Sequence, residues 1–131
     1  MAADTAESAG REWLFTYGIL RDPALLERLL GAVPPGGVPA EVRGYARHTS
    51  AQRYYYLVPA ADAPPVPGML WRVTAAELAV LDEVEDVDPA DPGSPHGEYR
   101  RVRSQAHTTS GAVPCWLYQG ARIADADAAA C

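Results

Sequence analysis

The chain has 131 residues, the length of one ordinary domain, and 48% of them are hydrophobic, enough for a single packed core. Its formal charge is −6, with 11 basic residues, all arginine, against 17 acidic ones. That balance excludes nucleic acid and anionic membrane surfaces as partners, because both require a basic face.

Residues 1–11 are small and polar and read as a disordered N-terminal segment. Without the basic and apolar regions of a signal peptide, they point to no export. Trp13 to Tyr17 is an apolar, aromatic strand that stops at Gly18. Asp22 is a candidate N-cap with Pro23 in the first helical position, where its missing N–H costs nothing. Leu25, Leu26, Leu29 and Leu30 then form an apolar stripe at helical spacing, and Gly31 is a natural stop.

After the turn-rich "AVPPGGVP" come two expected strands, Val38 to Arg47 and Gln52 to Val58, and after a second Pro-rich loop a third, Val66 to Val73. Thr74 to Glu77 is a capping box. The helix it opens is expected to turn Leu78, Leu81 and Val84 inward and to end near Glu85. A long, exposed, acidic loop follows, to Glu98. Tyr99 to His107 and Ala112 to Tyr118 read as two further strands around the turn "TTSG", and residues 121–131 form an Ala-rich tail. The spacing predicts one domain over 12–120. Helices do not alternate with strands, so a doubly wound parallel sheet is excluded. The expected fold is α+β: a mixed, barrel-like sheet of about six strands with two main helices. No apolar run approaches the ~20 residues of a membrane span. Two cysteines, Cys115 and Cys131, make no disulfide framework, and a cytoplasmic location is expected.

Two segments could carry chemistry. A strand ending at Tyr17-Gly18 just before a helix exposes backbone N–H groups that can hold a carboxylate or phosphate, and glycine lets a ligand approach them. Local pattern alone favours a plain tight turn there. No GxxxxGK[ST] or GxGxxG motif accompanies it. The second segment is "ELAVLDEVEDVD". Asp82 and Glu85 lie three apart and share a helix face, yet carboxylates at a helix C-terminus oppose its dipole. The segment is either a solvated acidic exit or the place where one carboxylate turns inward as a base. His48, His96 and His107 show no metal-ligand spacing.

The order of the pieces then matters. Phe15-Thr16-Tyr17-Gly18-Ile19-Leu20-Arg21, Gly68-Met69-Leu70-Trp71, Leu81-Asp82-Glu83-Val84-Glu85, Tyr99-Arg100-Arg101-Val102 and Trp116-Leu117-Tyr118 follow one another in a sequence that resembles the gamma-glutamylcyclotransferase-like (AIG2-like) family, from about Trp13 to Tyr118. The resemblance implies an enzyme that cyclises γ-glutamyl amides to 5-oxoproline and a free amine, without metal or cofactor. It maps the catalytic carboxylate onto Glu85. It maps the loop that grips the glutamyl head onto Tyr17, Gly18, Ile19 and Leu20, and makes Tyr99 and Tyr118 pocket-lining hydroxyl donors. Glu98 is the rival carboxylate, Asp82 a brace, and Arg21 a candidate counter-charge for the glutamyl carboxylate. The family corner has a small polar or hydroxyl residue after Tyr-Gly, where this chain has Ile19. Backbone contacts would survive that change and a side-chain hydroxyl contact would not. The alternative is a domain of the same fold that binds glutamyl compounds without turning them over.

Overall fold

The computed structural model describes residues 10–49, 55–87, 90–94 and 97–121. Seven strands are present: β1 (Arg11–Thr16), β2 (Gly36–Val42), β3 (Tyr45–Thr49), β4 (Tyr55–Pro59), β5 (Val66–Thr74), β6 (Tyr99–Thr108) and β7 (Gly111–Gly120). Two helices, α1 (Pro23–Leu30) and α2 (Ala75–Val84), and a 3-10 turn at Ile19–Arg21 complete the described chain. Strands β1, β5, β2, β6 and β7 close into a barrel in that order. Most neighbours are antiparallel, but the closing pair is parallel, with Leu14 opposite Trp116 and Phe15 opposite Leu117. Strands β3 and β4 form a separate two-stranded sheet.

The α+β class, the two helices and the barrel-like sheet agree with the expectation; the strand count does not. The run expected as one strand over Val38–Arg47 breaks after Val42, because Gly44 takes φ +83, the left-handed region that glycine enters without penalty. The chain thereby leaves the barrel and starts the β3–β4 ribbon. The part of the expected second strand that precedes Tyr55 lies outside the described residues, as do nearly all of the N-terminal segment and the Ala-rich tail.

Alternation along the strands separates two apolar clusters. Phe15, Val66, Leu70, Ala106, Cys115 and Leu117 point one way, into the barrel, joined by Leu57 from β4. Leu14, Trp71, Val73, Tyr99 and Tyr118 point the other way and meet Leu26 of α1 and Leu78 and Leu81 of α2. Cys115 is fully buried, and burial pushes its thiol up to about 11, so it packs as a small apolar group. No described helix is long and apolar enough to cross a membrane.

The helix ends follow their sequence signals. The Asp22 side chain accepts from the Ala24 N–H at 2.9 Å, and Gly31 closes α1. In α2 both halves of the capping box are made: the Glu77 N–H donates to Thr74 Oγ1 at 3.1 Å, and the Thr74 N–H donates to Glu77 Oε1 at 2.8 Å. One expectation fails: Val84 is exposed, and Asp82 is buried instead. At 3.6 residues per turn, positions 78, 81, 82 and 85 share a stripe and position 84 falls off it.

Candidate active site

The stripe that buries Leu78, Leu81 and Asp82 carries Glu85 next, as the residue that ends α2, with its N–H bonded to the Leu81 carbonyl at 3.0 Å. Glu85 therefore leaves the helix on the side that faces the barrel. There it borders a cavity of about 400 Å³, at the small end of ligand pockets (~300–1,000 Å³). The Tyr17–Leu20 corner forms one wall, Tyr99 and Tyr118 another, and Tyr55, Val84 and Glu98 stand around them. All seven residues singled out for substrate binding and catalysis, Tyr17, Gly18, Ile19, Leu20, Glu85, Tyr99 and Tyr118, thus border one space.

The corner is built by β1 running out at Thr16, whose hydroxyl is spent inside the wall: it donates to the Met69 carbonyl at 3.2 Å and accepts from the Trp71 indole N–H at 3.2 Å. Gly18 precedes the 3-10 turn. A Cβ there would sit 3.9 Å from the Tyr55 side chain, on the cavity side. What glycine leaves open is the approach to the backbone. Among the described residues the Ile19 and Leu20 N–H groups donate to no other backbone group, as expected at the start of a helical turn. Arg21, the candidate counter-charge, points elsewhere. Its Nε donates to the Gly18 carbonyl at 3.1 Å, and it lines a shallow groove with Asp22 and Leu25 outside the cavity.

The tyrosine hydroxyls are committed. Tyr17 donates to the Tyr118 carbonyl, Tyr99 to the Tyr55 carbonyl at 2.6 Å, and Tyr118 to Asp82 Oδ1 at 2.7 Å. Tyr99 and Tyr118 were expected as hydroxyl donors to a ligand; both protons are instead placed in the wall. Burial, the nearby Tyr99 and the charge of Glu85 push Tyr17 well above its ordinary value. Burial and the Asp82 carboxylate do the same for Tyr118.

Asp82 is the residue whose function the sequence undersold. Arg101 meets it two-pronged, Nε to Oδ1 at 2.9 Å and Nη2 to Oδ2 at 3.1 Å, and stacks 4.3 Å from the centre of the Trp116 ring. With Tyr118 on the same carboxylate, this locks the last turn of α2 onto β6 and β7. The signal was present in the "YRR" and "LDxxE" segments, but nothing local says that they meet.

Glu85 and Glu98 share the cavity. Burial, and then the charge of Glu98, push Glu85 up to about 7. Glu98 reaches the site because the acidic loop folds back on itself: the Glu98 N–H donates to the Asp86 carbonyl at 3.1 Å, and the Arg101 N–H to the Pro92 carbonyl at 2.8 Å. That loop was expected to be exposed, yet Val87 and Ser94 are buried in it. Among the described residues no three His, Cys, Asp or Glu side chains converge on a metal position.

The family model for gamma-glutamyl cyclotransferase, AIG2-like, matches residues 14–129. The chain belongs to the gamma-glutamyl cyclotransferase, AIG2-like family. Comparison with curated proteins gives no match. Among solved structures, an Arabidopsis thaliana protein is 25% identical with a TM-score of 0.72, over 90% of this chain and 74% of its own. An AIG2-like protein from Mus musculus is 18% identical (TM-score 0.68, 85% of this chain and 78% of its own). A gamma-glutamyl cyclotransferase is 16% identical (TM-score 0.66, 84% and 66%). These last two likenesses bear on the fold.

Proposed function

We propose that this protein is a γ-glutamyl amine cyclotransferase, acting on a small-molecule γ-glutamyl amide and releasing 5-oxoproline and a free amine. The observation that carries the reading is Glu85: a carboxyl pushed up to about 7, set in one cavity with the Tyr17–Leu20 corner. A group poised near neutrality can both take and return a proton.

The corner N–H groups receive the glutamyl α-carboxylate, and the acceptor oxygens of Tyr99 and Tyr118 suit its α-amine. Glu85 takes a proton from the α-amine as that nitrogen attacks the γ-carbonyl carbon and the ring C–N bond forms. The same carboxyl then returns the proton to the departing nitrogen as the amide C–N bond breaks. No water is consumed and no co-reactant is needed. Because the attack is intramolecular, holding the chain folded removes much of the entropic barrier. A reducing, cytoplasmic setting suits the free, buried Cys115.

Ile19 favours a second reading, a domain that binds glutamyl compounds without turnover, because it brings a hydrocarbon side chain to the corner. Incubation with γ-glutamyl amides and detection of 5-oxoproline by mass spectrometry separates the two. The parent protein is expected to form it, and Glu85→Gln to lose at least about 10³-fold in kcat with its fold intact. Full activity in that variant would sink the assignment of the base; thermal shifts without product would support the binding domain.

A further inference from the structure

Single exposed apolar side chains are ordinary on protein surfaces, but several converging on one opening are not. The described surface exposes five large hydrophobic residues, and three of them, Ile19 at 57%, Tyr55 at 41% and Val84 at 42%, border the cavity described above. They come from three unrelated places in the fold: the corner, the β3–β4 ribbon and the end of α2. A cavity whose inner end holds a glutamyl head would present this rim to whatever the head is attached to.

Charge narrows the choice. The charged residues lining the cavity are Glu85 and Glu98, both acids, and no described arginine lines it. The hydroxyl protons of three of the four tyrosines that line it, Tyr17, Tyr99 and Tyr118, are already donated within the protein. A carboxylate on the amine portion would meet two acids, and no proton from Tyr17, Tyr99 or Tyr118. Two arginines stand outside: Arg21 bonded to the Gly18 carbonyl, and Arg47 stacked 4.7 Å from the centre of the Tyr55 ring. Each lies against a lining residue, and neither lines the cavity itself.

We propose that the amine portion of the substrate is apolar, an alkyl or aryl amine without a carboxylate, seated against Ile19, Tyr55 and Val84. This rests on the reading of the cavity as a glutamyl site, and Ile19 becomes a specificity residue where a side-chain hydroxyl would have contacted a smaller substrate. Hydrocarbon buried at such a rim contributes mainly through the hydrophobic effect, in proportion to the apolar area covered.

The test compares three γ-glutamyl amides: the hexylamide, the 6-aminohexanoate amide, which has the same chain with a terminal carboxylate, and the methylamide. The hexylamide is expected to show kcat/KM about tenfold or more above each of the others. Val84→Ser is expected to reduce the hexylamide-to-methylamide ratio several-fold. Val84→Arg should raise the aminohexanoate amide relative to the hexylamide. Equal or inverted preferences in the parent protein would overturn the proposal while leaving 5-oxoproline formation in place. If no amide yields 5-oxoproline, the cyclotransferase reading fails, and binding of the same three compounds decides the rim separately: tightest binding of the hexylamide upholds it. Equal binding, or none, overturns it.

Discussion

As the proposed base, Glu85 would combine two roles that pull against each other. Its carboxyl holds a proton up to about pH 7 in the folded protein, against an ordinary value of 4.5. Between those values the folded state keeps a proton that the unfolded chain has released, so this residue's contribution to stability falls as pH rises through that window. Above pH 7 the full penalty, at most about 3 kcal/mol, is present. Glu85→Gln is therefore expected to unfold at higher urea than the parent at pH 8 and to lose that advantage near pH 4.5. Activity should run the other way, with kcat/KM rising through a limb near pH 7 as the base ionises. Glu98→Gln removes the neighbouring charge but not the burial, so the limb should move down in pH without reaching the ordinary carboxylate range; a limb that stays put would exonerate Glu98. The face that Glu85 shares with Asp82 was legible from their spacing of three, but which carboxylate turns inward came only from the family resemblance, since the helix pattern had put Val84 inward. The proton affinity of Glu85 was not legible, because Glu98 is thirteen positions on and arrives only by the fold of a loop with no regular pattern.

Helix α2 is held at both ends, by the capping box at its start and by Asp82 near its finish. The finish matters more for the site, because Glu85 follows Asp82 by less than a turn. Asp82 and Arg101 are both largely buried, and removing one partner strands the other charge. Asp82→Ala is expected to cost about 3–5 kcal/mol in urea unfolding, since it also leaves the Tyr118 hydroxyl without its acceptor. A loss under about 1 kcal/mol would mean that the pair is solvated in practice. The caps were written in the sequence as short-range signals, three residues apart. The clamp was not, because Asp82 and Arg101 meet through the register of β6 and the packing of α2. The same distinction explains the expected strand over Val38–Arg47: alternation persists across Arg43-Gly44, and only the backbone conformation at Gly44 shows the break.

The barrel was anticipated as a curled sheet from strand count and from the lack of helix–strand alternation, but not its closure, since no local pattern encodes a parallel pairing between the first strand and the last. The neighbouring β1–β5 pairing depends on close approach at Gly68, where a Cβ would lie 2.2 Å from the Thr16 carbonyl oxygen and 2.6 Å from Phe15 Cζ. Gly68→Ala is expected to destabilise the protein by about 1–3 kcal/mol and, by pushing β5 from β1 next to the corner, to weaken turnover as well. Wild-type stability in that variant would mean that β1 can shift without cost.

The bond from the Tyr17 hydroxyl to the Tyr118 carbonyl joins residues 101 positions apart. One wall of the cavity is laid down 101 residues of synthesis before the facing wall. At about 5–20 residues per second, several seconds separate them on the ribosome. Through that interval Phe15 and Leu14 have no β7 to pair with, and the chain carries an open strand edge that is prone to wrong partners. The cavity is thus a report on barrel closure: the Tyr17 and Tyr118 walls meet only once β7 docks against β1.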